Sequence, residues 1–187
     1  MSAGPDASRG TERILGIDPG TVATGWGVVE MTGSALVHVD HGTITCSAGQ
    51  AQGMRLKRIC QGLREVIARH RPDGVSLEKV FFAQNAVSAL KLGQARGVAL
   101  LAAAESDILV HEYASVEIKQ SVVGYGHASK EQVQKMVGSL LRLSGPIVAD
   151  AADALAAAIC DLHQRAFHLR VNEAAPKAVR AARPRNG

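Results

Sequence analysis

The sequence predicts an α/β fold in which a mixed sheet of five strands, three antiparallel and then parallel, is flanked by helices. Three strand patterns open the chain with short turns between them, which is typical of an antiparallel meander. Two further strand patterns alternate with helical patterns, and strands joined through a helix run parallel. The predicted strands are Ile14–Asp18, Gly25–Met31, Ala35–Thr45, the run VSLEKVFF that contains Glu78, and the run DILVHEY that ends at Tyr113.

Helices are predicted where apolar residues recur at spacings of three and four. The clearest is Met54–His70, which Pro72-Asp73-Gly74 separates from the next strand. A capping box, with Ser129 as N-cap and Gln132 three residues later, marks the start of another helix. The remaining predicted helices are about Asn85–Ala104, Val116–Val123, Ser129–Leu143 and Asp150–Leu169.

Composition indicates a single-domain protein of ordinary size. Its 187 residues can bury a core. No run approaches the ~20 apolar residues of a membrane span, and the opening MSAGPDASRGTE lacks the apolar segment of a secretory signal. Cys46, Cys60 and Cys160 are odd in number and widely spaced, which favours reduced thiols over disulfides or a zinc site. We therefore expect a cytoplasmic protein that makes no membrane contact.

The formal net charge of +4 arises at the C-terminal end of the chain. From Gln164 onward six basic residues face one acidic residue, so the rest of the chain has a net charge of −1. A basic surface for an anionic partner must therefore come from local clustering. We predict a disordered segment over residues 1–12, a folded domain over 13–170, and a basic tail over 171–187 that is disordered because it has little to bury.

Four carboxylates lie at the ends or beginnings of predicted elements. Asp18 ends an apolar strand before Pro19-Gly20, which suits a metal ligand, a phosphate-binding turn or a simple hairpin turn. Glu78 interrupts an apolar strand, where a carboxylate is costly to bury unless a cation binds it, although a solvent-exposed strand end is the alternative. Asp150 and Asp153 share one face of a helix start, where Asp also serves as a cap. If the fold brings all four together, their repulsion predicts bound divalent cations.

The predicted order of strands and helices is that of the ribonuclease H-like fold, which actin-like ATPases share. Both branches begin with a strand that ends in Gly-Ile-Asp-x-Gly-Thr, here residues 16–21. In the ATPases this turn binds phosphates between two such domains, whereas in the nucleases the aspartate holds metal. The chain has no second Asp-x-Gly loop of that type, which favours a nuclease over a nucleotide-binding module.

Longer motifs resemble one nuclease family, the RuvC-type Holliday junction resolvases. The matching stretches are ILGIDPGTVATGWGVVE, FFAQNAVSALKLGQARGVALLAAA, IKQSVVGYGHASKEQVQKMV and DAADALAAAIC. The resemblance implies a crossover junction endodeoxyribonuclease of DNA recombination and repair. In it Asp18, Glu78, Asp150 and Asp153 would be the catalytic carboxylates, holding two Mg²⁺ or Mn²⁺ ions for a hydrolysis that leaves 5′-phosphate ends. It also implies a homodimer that makes paired cuts in a four-way DNA junction, with the branch-migration machinery as a partner.

DNA contacts follow from the same resemblance. Phe81 is expected to insert at the junction and stack on unpaired bases, with core packing as the alternative. Lys119 and Lys130 are expected beside the scissile phosphate. Candidates for further phosphate contacts flank the same strand and helix, and they are Lys79, Asn85, Lys91 and Arg96.

Other features of the motifs bear on function. Gln84 departs from the family pattern, in which several relatives have a basic residue, and this removes one expected phosphate contact. His127 is expected at the surface rather than in catalysis. The small-residue helix Asn85–Ala104 is expected to pack on its own core, to form a dimer face, or both. A catalytically inactive relative is the remaining alternative, and the presence of all four acids argues against it.

Overall fold

Five strands form one mixed sheet in the computed structural model, which describes residues 10–79 and 86–174. The strand order is β3-β2-β1-β4-β5, with antiparallel pairing among β1 to β3 and parallel pairing of β4 with β1 and β5. The predicted mixed sheet is thereby confirmed. The strands are β1 (Glu12–Asp18), β2 (Ala23–Thr32), β3 (Ala35–Thr45), β4 (Gly74–Glu78) and β5 (Val110–Tyr113).

Each predicted helix is present, and the differences lie at the ends. The helix α4 ends at Leu140 rather than Leu143, because Arg142 has the left-handed backbone conformation (φ 52°). The helix α5 continues five residues beyond the predicted Leu169, since no Gly or Pro occurs in that stretch. The helices are α1 (Gln52–His70), α2 (Ala86–Ala104), α3 (Ser115–Val123), α4 (Lys130–Leu140) and α5 (Ala149–Ala174).

The strand β5 begins three residues later than the run DILVHEY suggested. Asp107 has a φ of 55°, and the Ile108 amide donates to the carbonyl of Ala103, so both belong to the turn that ends α2. At the other end of β4, Val80 and Phe81 lie outside the described residues, as do residues 1–9 and 175–187. The proposed N-terminal segment and the rest of the tail therefore stay predictions.

The sheet separates two apolar cores. Ile14 packs with α3, α4 and α5 on one face, whereas Leu15 and Ile17 pack with α1 and α2 on the other. Because β1 is covered on both faces, its sequence is a continuous apolar run rather than an alternating one. Ser76, fully buried in β4, donates a 2.8 Å hydrogen bond to the carbonyl of Ala157 and so ties the sheet to α5.

The helix α5 lies directly on the backbones of β1 and β2 because small residues face it. A Cβ atom at Gly16 would stand 1.9 Å from the carbonyl oxygen of Ala154. A Cβ atom at Gly25 would stand 1.9 Å from the carbonyl oxygen of Asp150, and one at Gly27 would stand 2.6 Å from the side chain of Leu155. Real Cβ atoms do not approach this closely, so glycine at these positions sets the distance between helix and sheet.

The start of α4 is fixed by the predicted capping box. The Gln132 amide donates to the Ser129 hydroxyl over 3.3 Å, and the Ser129 amide donates to the Gln132 side chain over 2.8 Å. Lys130 is therefore the first residue of a helix whose beginning is anchored by two side-chain hydrogen bonds.

The three cysteines are free thiols. Within the described part of the chain, no helix combines the length and the apolarity needed to cross a membrane.

We predict that Gly16→Ala destabilises the protein by about 1–3 kcal/mol or more, since the added methyl group meets the α5 backbone and cannot be accommodated by a side-chain rotation. Thermal unfolding measures this change. Gly53→Ala is the matched control, because a Cβ atom there meets nothing within 4 Å and alanine favours the helix α1. An unchanged melting temperature for Gly16→Ala would contradict the close contact.

Candidate active site

Two of the four acids end neighbouring parallel strands. Asp18 is the last residue of β1 and Glu78 the last residue of β4, and the strands pair in register with Ile17 beside Leu77. Asp18 and Glu78, which follow Ile17 and Leu77, therefore lie side by side at the carboxyl edge of the sheet, where α/β proteins bind their ligands.

The other two acids come from the start of α5. Asp150 lies in the first turn of that helix, and its carbonyl packs against Gly25. Gly25 is in turn the antiparallel partner of Asp18. The glycine contact therefore brings the first turn of α5 to the end of β1, and Asp153 follows one turn later on the same face.

A cleft of about 230 Å³ lies between these elements. Asp18, Glu78 and Asp153 line it, together with Lys119 and Lys130, whereas Asp150 is not among its lining residues. A larger cleft of about 700 Å³ lies beside α4 and contains none of the four acids. The structure thus brings three predicted acids and two predicted lysines into one small cleft.

The turn after Asp18 is closed by its own hydrogen bonds. Thr24, fully buried, donates to the carbonyl of Gly20 over 2.7 Å, and the Gly20 amide points to the Thr24 hydroxyl over 3.3 Å. An amide that is engaged within the turn is not presented to a phosphate. This geometry favours the carboxylate of Asp18, rather than the turn backbone, as the functional group.

The negative charge of the cluster affects the pKa of Asp18. Burial, and after it the negative charges of Asp153, Asp150 and Glu78, raise its pKa from 3.8 to about 7. Lys130 opposes this rise. A buried carboxylate surrounded by three others is unfavourable in its charged form, and a bound cation relieves that cost.

Lys130 reaches from α4 to α5. Its ammonium group donates a 2.9 Å hydrogen bond to Oδ2 of Asp153, and this bond raises the pKa of Lys130. The side chain of Lys130 is 75% exposed, whereas that of Asp153 is only 25% exposed. The lysine is thus a surface cation paired with a carboxylate of the cleft.

The residue types fit a divalent metal ion, because carboxylate oxygens are the ligands of hard cations such as Mg²⁺ and Mn²⁺. The excess of negative charge around Asp18 points the same way. Over residues 10–79 and 86–174, however, no three acidic, His or Cys side chains are placed to hold one ion together. The acids form an electrostatic cluster, and one of them is engaged by Lys130.

Arg96 is not among the residues that line the cleft. Its guanidinium donates to the carbonyl of Glu78 over 2.7 Å and pairs with the carboxylate of Glu112 in β5. Only 14% of the side chain is exposed. These contacts anchor the end of β4, which makes Arg96 a support for Glu78.

Two of the other predicted DNA contacts are exposed lysines. Lys79 is exposed beside Glu78, and Lys91 is exposed on α2. His127 is exposed, as expected, with its ring 5.0 Å from that of Tyr125, and it does not line the cleft. Phe81, Gln84 and Asn85 fall outside the described residues.

Sequence reasoning missed a buried polar centre on α5. Asp161 is fully buried and accepts hydrogen bonds from the Tyr113 hydroxyl (2.6 Å) and Nε of Arg165 (2.7 Å), and its carboxylate lies 2.9 Å from Nδ1 of His111. Burial and the bond to Asp161 raise the pKa of Tyr113, so its hydroxyl remains a donor. The centre ties β5 to α5. Its signal was available, because Asp161 closes an apolar helical run and Arg165 follows one turn later.

Comparisons with known proteins report similarity to one family. A family model described as crossover junction endodeoxyribonuclease RuvC matches residues 14–161. The RuvC of Geobacter metallireducens is 55% identical over 148 residues, which cover 79% of this chain and 90% of that protein. The RuvC of Pelobacter propionicus is 51% identical over 174 residues, which cover 93% of this chain and 98% of that protein. A solved structure of Thermus thermophilus RuvC in complex with Holliday junction substrate is 35% identical, with a TM-score of 0.78. The match covers 86% of this chain and 96% of that one.

We predict that Asp18→Asn stabilises the protein in the presence of a chelator. The carboxyl of Asp18 loses its proton near pH 4 when unfolded but at about 7 when folded, so its contribution to stability falls as pH rises between those values. Above about pH 7 the substitution should raise the free energy of unfolding by up to about 4 kcal/mol, and at about pH 4 the gain should vanish.

Chemical denaturation across that pH range measures the effect. Glu65→Gln on the exposed face of α1 is the control and should change little at any pH. An Asp18→Asn protein that is less stable than the parent at high pH would contradict the electrostatic account.

Proposed function

The chain belongs to the RuvC family of crossover junction endodeoxyribonucleases, and from that membership we propose that it resolves four-way DNA junctions by paired, divalent-metal-dependent cuts in recombination and repair. The predictions of the family, the ribonuclease H-like fold and a junction-resolving nuclease are confirmed. The observation that carries the proposal is the convergence of Asp18, Glu78 and Asp153 in one cleft, within a chain matched over most of its length.

The family implies dependence on a divalent metal. The proposed ligands are Asp18, Glu78, Asp150 and Asp153, with two Mg²⁺ or Mn²⁺ ions per site. When bound, such ions supply an activated water and stabilise charge on the phosphate, which yields a 5′-phosphate end. Asp150 does not line the cleft. The support for Asp150 as a ligand is therefore its negative charge, which contributes to the raised pKa of Asp18.

The protein's own side chains prepare this chemistry. Asp18 must be ionised to act as a ligand. The negative charges of the neighbouring acids make its ionised form unfavourable, and a bound cation offsets that cost. Arg96 holds the end of β4 through the Glu78 carbonyl and thereby fixes the backbone that carries the Glu78 side chain. Lys119 and Lys130 line the same cleft, where their ammonium groups can offset the charge of the scissile phosphate.

The proposed DNA surface includes two exposed lysines in addition to Lys119 and Lys130 of the cleft. Lys79 beside Glu78 and Lys91 on α2 are exposed cations suited to phosphate contacts. Asn85 and Phe81 belong to the segment between them, which the structure does not describe, and their roles rest on the family resemblance. Arg96 is better explained as a support than as a phosphate contact, because its guanidinium is engaged inside the protein.

Paired cutting needs two sites at a fixed separation, and a symmetric dimer supplies them. The support for a dimer is the first half of α2, where Val87 (61%) and Leu90 (68%) are exposed. Gly93 and Gly97 on the same helix have no atoms within 4 Å of a would-be Cβ, so a second backbone has room to approach. We propose α2 as the homodimer face. The branch-migration machinery as a partner, and a cytoplasmic location, stay predictions.

We predict that Asp18→Asn, Glu78→Gln and Asp153→Asn each abolish junction cleavage while junction binding persists. Each change removes a charged metal ligand but keeps the side-chain size, and binding depends mainly on phosphate contacts elsewhere. Cleavage of a synthetic four-way junction with Mg²⁺ or Mn²⁺, beside gel-shift titrations, measures both properties. Glu131→Gln, an exposed acid next to Lys130 and outside the cleft, is the control that should retain cleavage. Substantial cleavage by Asp18→Asn would rule out the metal assignment.

We predict that Phe81→Ala leaves thermal stability nearly unchanged and strongly reduces junction cleavage, because a residue that stacks on bases contributes to the complex rather than to the core. A core phenylalanine would instead cost about 3–5 kcal/mol of stability on truncation. Melting temperature and junction cleavage are measured together, with the exposed Phe167→Ala as the matched control. A large fall in melting temperature with a proportionate loss of activity would assign Phe81 to the core.

A further inference from the structure

The contact between Lys130 and Asp153 joins two helices, α4 and α5, that also pack on each other in one apolar core. Lys130 is the first residue of α4, and the capping box around Ser129 holds its backbone in place. Asp153 is held on α5, whose distance from the sheet is set by glycine contacts. The 2.9 Å bond therefore spans two anchored helices, and the lysine is the more exposed of its two side chains.

We propose that Lys130 competes with the metal ion for Asp153. Its ammonium group binds the Asp153 carboxylate until a divalent cation displaces the ammonium group, which then contacts the DNA phosphate. The inference rests on the proposed metal-dependent nuclease function. An ammonium group and a divalent cation bind the same carboxylate oxygens, so Asp153 cannot serve both fully.

Lys130 suits this role because it compensates the charge of the whole cluster. Besides its bond to Asp153, it interacts electrostatically with Asp18 and Glu78. It thus supplies part of the positive charge that the acids need before metal arrives. Its long and mostly exposed side chain keeps reach over the cleft, so a displaced ammonium group remains available to a phosphate.

Lys119 provides an internal comparison. It lines the same cleft and carries the same charge, but it forms no ion pair with a carboxylate among residues 10–79 and 86–174. Removing either lysine takes one positive charge from the surroundings of the acids, which by itself favours cation binding. Only removal of Lys130 also frees Asp153.

The test is a Mn²⁺ binding titration of the full-length protein without DNA, by calorimetry or by the electron paramagnetic resonance of free Mn²⁺. We expect Lys130→Met to bind Mn²⁺ about twofold to fivefold more tightly than Lys119→Met, which is the range of a partly exposed ion pair. Lys130→Arg keeps the cation and should bind close to the parent. In an Asp153→Asn background the advantage of Lys130→Met over Lys119→Met should disappear.

Equal Mn²⁺ affinities for Lys130→Met and Lys119→Met, or weaker binding by Lys130→Met, would overturn the competition. So would an advantage that persists with Asp153→Asn. At saturating Mn²⁺ we expect Lys130→Met to cleave junctions more slowly than the parent despite its tighter metal binding. A cleavage rate equal to that of the parent would overturn the proposal that the displaced ammonium group contacts the phosphate. If the parent bound no Mn²⁺ at all, the proposed function itself would fail, which distinguishes the two failures.

Discussion

The direct contact of α5 with the glycines of β1 and β2 is the constraint on which the candidate site depends. Gly16 and Gly25 leave no room for a Cβ atom between strand and helix, so the helix backbone lies against the sheet. Since Gly25 is paired with Asp18 and packs against Asp150, one contact determines how the acids of the strand and of the helix meet. Ala154 and Ala158, one turn apart on α5, are both buried and lie against Gly16, so the close packing continues along the helix toward Asp161.

The contact has an energetic cost, which the surrounding residues offset. It holds the Asp18 carboxylate near three others in a partly buried place, and the rise in its pKa records that cost. Arg96 anchors the end of β4 at the Glu78 carbonyl, Asp161 ties β5 to α5, and Lys130 neutralises part of the negative charge. A site assembled in this way favours the binding of a cation, because its ionised form is unfavourable without one. Stability and function therefore oppose each other at Asp18.

Much of this arrangement could be predicted from sequence. Apolar periodicity located every strand and helix of the described chain, and the capping box located the start of α4. The acids were recognisable because each interrupts or begins an apolar element, where a bare carboxylate is costly. The specific roles of the acids and lysines came from the family resemblance. The residue pattern alone left open a hairpin turn at Asp18, an exposed strand end at Glu78, a helix cap at Asp150 and Asp153, and an ordinary surface position for each lysine.

What could not be predicted depends on contacts between residues far apart in the chain. Arg96 was expected to face DNA, but its orientation is set by the carbonyl of Glu78 and by Glu112, which no local pattern reveals. The strand β5 starts late because Asp107 belongs to the turn after α2. The link between Lys130 and Asp153 depends on how α4 packs on α5, which periodicity does not specify.

We propose that the contact between α5 and the glycines of β1 and β2 creates the cation-binding cluster of carboxylates around Asp18. Anomalous diffraction from crystals of the protein soaked in Mn²⁺ tests it most directly, because the signal locates the ion independently of activity. The account predicts an anomalous peak coordinated by Asp18 together with Asp153 or Glu78. Peaks only at other acids, such as Glu131 beside the larger cleft, or none at Asp18 at saturating Mn²⁺, would contradict it.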